Sequence, residues 1–158
     1  ARMDADDIMF PERIKTQLEI FENNPDIDIL GSNAIIIDEE SQILGVRYLP
    51  VNDDLINVKG FIHPTIMAKK TWFMKNPYDV KAIRMEDFEL WFRTHGDYNF
   101  IQFSKPLMYY RELNSKVHVR YQKGIPTLIY VLKKYLKEKK YHLFFRWVKR
   151  AVSYIIKF

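Results

Sequence analysis

Residues 27–38 run Ile27-Asp28-Ile29-Leu30-Gly31-Ser32-Asn33-Ala34-Ile35-Ile36-Ile37-Asp38. Two β-branched runs, Ile27 to Gly31 and Ala34 to Asp38, flank small residues, a pattern that predicts two strands with a break between them. Upstream, Pro11 suits the first turn of a helix: its fixed φ is helical and its missing N–H is not needed there. Ile14, Leu18 and Phe21 follow at helical spacing, and Asn23-Asn24-Pro25 stops the run, so a helix is expected over 11–23. Downstream, Glu39 to Gln42 reads as a turn and Ile43 to Leu49 as a returning strand.

The same reading extends outward. Asp53 to Lys59 is a short helix candidate. Thr65 to Ala68 is a short apolar strand entered from His63-Pro64, Thr71 to Met74 a helical turn, and Asn76 to Arg84 a loop. Met85, Phe88, Trp91, Phe92 and His95 share one helical face, which Gly96 terminates. Asn99 to Phe103 and Leu107 to Arg111 read as strands on either side of Ser104-Lys105-Pro106. Beyond these, Ile125, Leu128, Ile129, Leu132 and Leu136 form one helical stripe, and Phe144, Trp147, Val148, Ala151 and Ile155 another.

Composition bounds the class. Apolar residues make up 47% and charged residues 28% of 158, as in ordinary globular domains. Cysteine is absent, which excludes disulfides and thiolate metal sites and makes a reducing compartment the expected home. Ala1 to Phe10 is acidic where a secretory leader would be basic and apolar. No run of about 18 apolar residues occurs, so no membrane-spanning helix is expected. Charge is unevenly placed. From Lys123 onward there are ten Lys or Arg and one acid, Glu138, a charge of +9; of the total +5 this leaves −4 on residues 1–122. A mildly acidic domain over 1–112 is therefore expected to precede a basic, amphipathic helical tail over 113–158, the boundary falling near 113–124. Cations interleaved with Tyr, Phe and Trp suit an anionic membrane surface. The plainer alternative packs the apolar stripes back on the first domain and leaves the basic face solvated. Nucleic acid is not the expected partner.

Two acidic clusters carry the candidate chemistry. In an extended segment Asp4 and Asp6 would point the same way. Side-by-side carboxylates repel unless a divalent cation shares them, and hard oxygen ligands suit Mg²⁺ or Mn²⁺. The alternative is electrostatic support or capping of the helix after Pro11. Glu86-Asp87 opens the second cluster. A first-turn carboxylate has an ordinary explanation in the helix dipole; the functional one makes it a general base for a hydroxyl nucleophile. Glu89 and Arg93, an i, i+4 pair, read as surface support. Asp79 and Arg84 read as solvated loop charge.

Five segments in order carry a resemblance: ARMDADD (1–7), PERIKTQLEIFENNPDIDILGS (11–32), FIHPTIMAKK (61–70), MEDFELWFR (85–93) and PLMYYR (106–111). Over residues 1–112 they resemble the later half of family 2 glycosyltransferases. The resemblance implies an α/β partial GT-A fold, a mixed sheet with flanking helices, lacking its amino-terminal βαβ half. It implies a nucleotide-sugar donor, a saccharide or lipid-linked acceptor, Mg²⁺ or Mn²⁺, and inversion at the anomeric carbon. The DxD-type motif falls on Asp4 and Asp6, the metal ligands, with Asp7 contacting the donor; Glu86 and the His63-Pro64 loop lie near donor or acceptor; Asp87 is the base. The Gln-x-x-Arg-Trp motif of processive synthases is absent, so a single addition is expected. In such enzymes the nucleotide base is held upstream of the DxD motif. The expectation is a fragment, or a chain completed by another, inactive alone, in the cytoplasm or peripheral on the inner face of the plasma membrane. The competing class is a non-catalytic module derived from such an enzyme.

Overall fold

A computed structural model describes residues 1–48, 55–112 and 124–156. Two long strands organise the sheet: β2 (Ile29–Ile37) and β6 (Phe100–Arg111), paired in parallel from Ile29↔Phe100 to Ile37↔Arg111. Each carries two shorter antiparallel partners. On β2 these are β3 (Ile43–Arg47) and β5 (Met67–Ala68); on β6 they are β1 (Ile8–Met9) and β4 (Leu55–Asn57). The result is a mixed sheet. Eight of the nine β2 residues are buried, which is why its sequence reads as an apolar run rather than an alternation.

Both long strands continue where a break was expected. Gly31-Ser32-Asn33 lies inside β2, and Ser104-Lys105-Pro106 inside β6. The register steps from Ser32↔Phe103 to Asn33↔Pro106, so Ser104 and Lys105 are extra residues on β6. A proline donates nothing to a ladder, and an irregularity of this kind accommodates it. Gly31 is required by contact: a Cβ there would meet the Phe61 ring at 2.4 Å and Gln102 Oε1 at 2.7 Å.

Helix α1 (Arg13–Asn23) starts two residues after Pro11. Its buried residues are Arg13 and Gln17, while Leu18 is 48% exposed, so the apolar spacing of Ile14 and Leu18 does not mark the covered side. A 3-10 turn (His63–Thr65) and α2 (Lys70–Lys75) flank β5. Leu55–Asn57, inside the short helix expected over Asp53 to Lys59, is strand β4, because its backbone groups pair with Ile101–Phe103 of β6. Residues 49–54, including the end of the expected strand to Leu49, lie outside the described residues.

Helices α3 (Glu86–Thr94), α4 (Ile125–Lys137) and α5 (Tyr141–Ile156) complete the chain. It separates into two units: Ala1–Pro77 with Thr94–Asn114, and Tyr78–Arg93 with Ser115–Phe158. Residues 78–93 thus group with the basic segment, not with the sheet as the 112/113 division expected; residues 113–123 themselves lie outside the described residues. In the second unit Met85, Leu128, Val131, Tyr135, Leu143, Trp147 and Ala151 form one core, with Phe88 and Phe92 of α3 against it. The α4 stripe therefore differs from expectation: Leu128 is buried, but Ile125, Ile129 and Leu136 are exposed and Val131 and Tyr135 take their place inside. The side chain of Ile155 lies outside the described ones.

Candidate functional site

The candidate residues fall in both units. Asp4, Asp6, Asp7 and His63 belong to the sheet unit, Glu86 and Asp87 to the helical one.

The acidic run is a turn, not the extended segment that spacing suggested. Asp7 N–H donates to the Asp4 carbonyl at 3.3 Å, and the acids precede β1 instead of ending a strand. Pairing of Ile8 with Tyr109 and Met9 with Met108 sets the turn against the end of β6. There the Arg111 N–H donates to Asp7 Oδ1 at 2.8 Å. Arg111 then reaches around the turn: its Nε donates to the Asp6 carbonyl at 3.0 Å, and its other nitrogens to the carbonyls of Asp38 and Glu39 and to Ser41 Oγ. Asp6 is exposed, Asp4 is half-buried with Oδ1 bonded by Arg2 at 2.8 Å, and Asp7 is only 7% exposed. No donor among the described residues reaches the buried Asp7 Oδ2. Burial raises the Asp7 pKa, and the charges of Asp6 and Asp4 add to that, against the Arg111 N–H.

The His63-Pro64 turn is fixed from behind. Thr65 Oγ1 donates to the Ile62 carbonyl and accepts from Ser32 N–H, and Gln17 Nε2 donates to the Thr65 carbonyl at 3.0 Å. Arg13, 0% exposed, donates from one nitrogen to the Pro64 carbonyl at 2.9 Å and to the Arg2 carbonyl at 2.8 Å. One buried guanidinium thus holds both the acidic segment and the His63 turn to α1. Sequence reasoning missed Arg13 and Gln17, because a polar pair at i, i+4 in a helix looks like solvent-facing surface.

In the helical unit, Glu86 and Asp87 are half-buried at the start of α3, and Asp87 Oδ1 accepts the Phe88 N–H at 2.7 Å. The expected surface pair is not on the surface. Glu89 is 0% exposed and its Oε1 accepts from Arg93 Nε (3.1 Å), Lys134 Nζ (3.1 Å) and Tyr135 Oη (3.0 Å). Asp79 likewise is no solvated loop charge: it accepts from Lys134 Nζ at 2.7 Å, Tyr130 Oη at 3.0 Å and the Lys81 N–H at 3.0 Å. Burial opposes its ionisation, but Lys134 and the other donors outweigh that and hold its pKa below the ordinary value. Burial, then Glu89, push the Tyr135 hydroxyl far up, so it stays a donor. Arg84, exposed, adopts a positive φ of 68° before α3.

A divalent cation has hard oxygen donors at the acidic turn, one of them the buried Asp7 Oδ2. Among the described residues, however, no group of three or more His, Cys, Asp or Glu is arranged to hold one unaided. An ion bound there would have to take its remaining oxygens from other ligands, as Mg²⁺ commonly does from phosphate and water. Among the described residues no helix is long and apolar enough to cross a membrane.

No family model matches the chain. An uncharacterized glycosyltransferase of Methanocaldococcus jannaschii is 35% identical over 150 residues, covering 89% of this chain and 51% of that protein. The O-antigen biosynthesis glycosyltransferase WbnJ of Escherichia coli is 27% identical over 146 residues, 88% of this chain and 57% of WbnJ. The amylovoran biosynthesis glycosyltransferase AmsE of Erwinia amylovora is 30% identical over 98 residues, 59% of this chain and 36% of AmsE. The chain spans about half the length, or less, of these curated relatives. Its α/β architecture, a mixed sheet with flanking helices, is consistent with a partial nucleotide-sugar transferase fold.

Proposed function

We propose that the protein is a family 2-type glycosyltransferase. It moves a sugar, with inversion, from a nucleotide-sugar donor to a saccharide or lipid-linked acceptor in cell-surface polysaccharide synthesis. The observation that carries this is the similarity to proteins named as glycosyltransferases, covering 89%, 88% and 59% of the chain. The acidic turn supports it from the side of chemistry, since the buried Asp7 Oδ2 takes no donor among the described residues.

Asp4 and Asp6 would hold Mg²⁺ or Mn²⁺ and Asp7 would contact the donor, with Arg111 and Arg13 keeping that turn in place. The ion, when bound, supplies Lewis-acid stabilisation of the departing nucleoside diphosphate. His63 and Glu86 would lie near donor or acceptor. Asp87 would accept the acceptor hydroxyl proton as that oxygen forms its bond to the anomeric carbon and the bond to the diphosphate oxygen breaks.

The test is an assay of the protein as its own cell makes it, with UDP-, dTDP- and GDP-sugars, Mn²⁺ and a saccharide acceptor. Acceptor-dependent release of nucleoside diphosphate, abolished by EDTA, is expected. No release with any donor, or release untouched by EDTA, contradicts the proposal.

A further inference from the structure

Helices α4 and α5 each bury one face and leave a second apolar face uncovered. On α4 the buried residues are Thr127, Leu128, Val131 and Tyr135. At about 100° per residue, Ile125, Leu136 and Ile129 fall together within roughly 40° of arc on an adjoining side. They are 40%, 52% and 49% exposed. The next sector of the same helix carries the exposed Lys133 and Lys137.

The pattern recurs on α5. Leu143, Trp147 and Ala151 are buried, while Tyr141, Val152 and Phe145 share a sector of roughly 40°. These three are 52%, 50% and 68% exposed. The exposed Lys149 follows in the next sector. Arg146 and Arg150 lie further round, over the rings of Phe92 and Phe88. Two helices thus repeat one order: buried face, exposed apolar stripe, cations.

Scattered exposed apolar residues need no explanation, but aligned stripes edged by cations do. The charge identifies the occupant. The segment from Lys123 carries ten Lys or Arg against one acid, so its partner is anionic, and the stripes require that partner to have an apolar interior. An anionic lipid leaflet has both, presenting charged headgroups above acyl chains at the depth an interfacial helix reaches. We infer that the α4 and α5 stripes dock the helical unit on an anionic membrane surface. Ile129, Leu136, Phe145 and Val152 enter the headgroup boundary, and Lys133, Lys137 and Lys149 lie at the phosphates. This does not depend on the transfer chemistry, and none of these side chains belongs to the candidate catalytic set.

Flotation of the 158-residue chain tests it. The vesicles are phosphatidylcholine alone and equal parts phosphatidylcholine and phosphatidylglycerol. The chain is expected to float with the anionic vesicles only. The double variants Ile129→Ser/Phe145→Ser and Lys133→Gln/Lys149→Gln should each lower the partition coefficient by roughly ten- to thirtyfold. Because all four positions are exposed, both variants should keep the wild-type circular dichroism spectrum. Three results overturn the inference: no flotation on anionic vesicles, equal flotation on neutral ones, or variants that bind as the wild type does. A dimer in light scattering that Ile129→Ser/Phe145→Ser dissolves, without vesicle binding, would assign the stripes to a second copy. Duplex DNA binding without vesicle binding would assign the cations to a nucleic acid.

Discussion

The two units treat buried carboxylates in opposite ways. In the helical unit Glu89 is 0% exposed and accepts from Arg93, Lys134 and Tyr135, and Lys134 also serves Asp79. The three donors to Glu89 are side chains of the same unit. In the sheet unit Asp7 is nearly as buried, yet one oxygen takes a single backbone N–H and the other takes no donor among the described residues. The nearby buried cation, Arg13, gives its hydrogen bonds to the Arg2 and Pro64 carbonyls, to Gln17 and to the Met108 sulfur instead. A carboxylate neutralised from within is a structural part. One left short of donors, beside two further acids, is where a charge from outside can be accommodated.

Four substitutions put that contrast under strain. Glu89→Ala should have the largest effect, about 3–5 kcal/mol, because it removes the buried acceptor that Arg93, Lys134 and the Tyr135 hydroxyl share. Amide exchange should accelerate in α3 and α4 and remain slow in β2 and β6. Arg13→Met should cost less, about 2–3 kcal/mol, since it leaves the Arg2 and Pro64 carbonyls without their donor. Here exchange should accelerate around the acidic turn and the His63 turn, not in α4. If either substitution loosens both regions equally, the two networks are not separate. The subtlest comparison is pH dependence in EDTA. The folded pKa of Asp79 is lowered, so its contribution is present above the ordinary 3.8 and is lost as pH falls through the folded value. Asp79→Asn should therefore destabilise at neutral pH, with the loss fading in acid. The folded pKa of Asp7 is raised, so its ionisation opposes folding, and that penalty grows as pH rises from 3.8 through the folded value. Asp7→Asn, which keeps an acceptor for Arg111, should stabilise at neutral pH and do nothing in strong acid. Denaturation midpoints against pH would settle it: two profiles of the same sign would contradict the contrast.

What the sequence made legible was local. The β-branched run at 29–37, the helix ending at Asn23 and the helix opened by Glu86 depend on neighbours in the chain, and all are present. What it hid was decided at a distance. Glu89 with Arg93 has the same spacing on a surface or in a core, and the partners that make it a core feature, Lys134 and Tyr135, lie 45 and 46 residues on. Arg13 and Gln17 are buried because two carbonyls near residue 64 need donors, and nothing near residue 13 announces that. Leu55 to Asn57 is a strand because β6 offers an edge, against its local helical pattern. Pro106 looked like an end to a strand that a register shift lets continue. For the candidate site, the ordered motifs named candidates only; the turn at Asp4 to Asp7 and its ties to Arg111 were not legible, because they follow from the pairing of β1 with β6.

The proposed division of labour, a donor-side acidic turn and an acceptor-side base, is tested most directly at Asp87. In the sugar-transfer assay, Asp87→Asn should lower kcat by about 10²- to 10⁴-fold, the usual worth of a general base. The KM for the nucleotide sugar should stay near wild type, and the variant should keep the wild-type circular dichroism spectrum. An Asp87→Asn protein that transfers sugar at the wild-type rate would contradict the account.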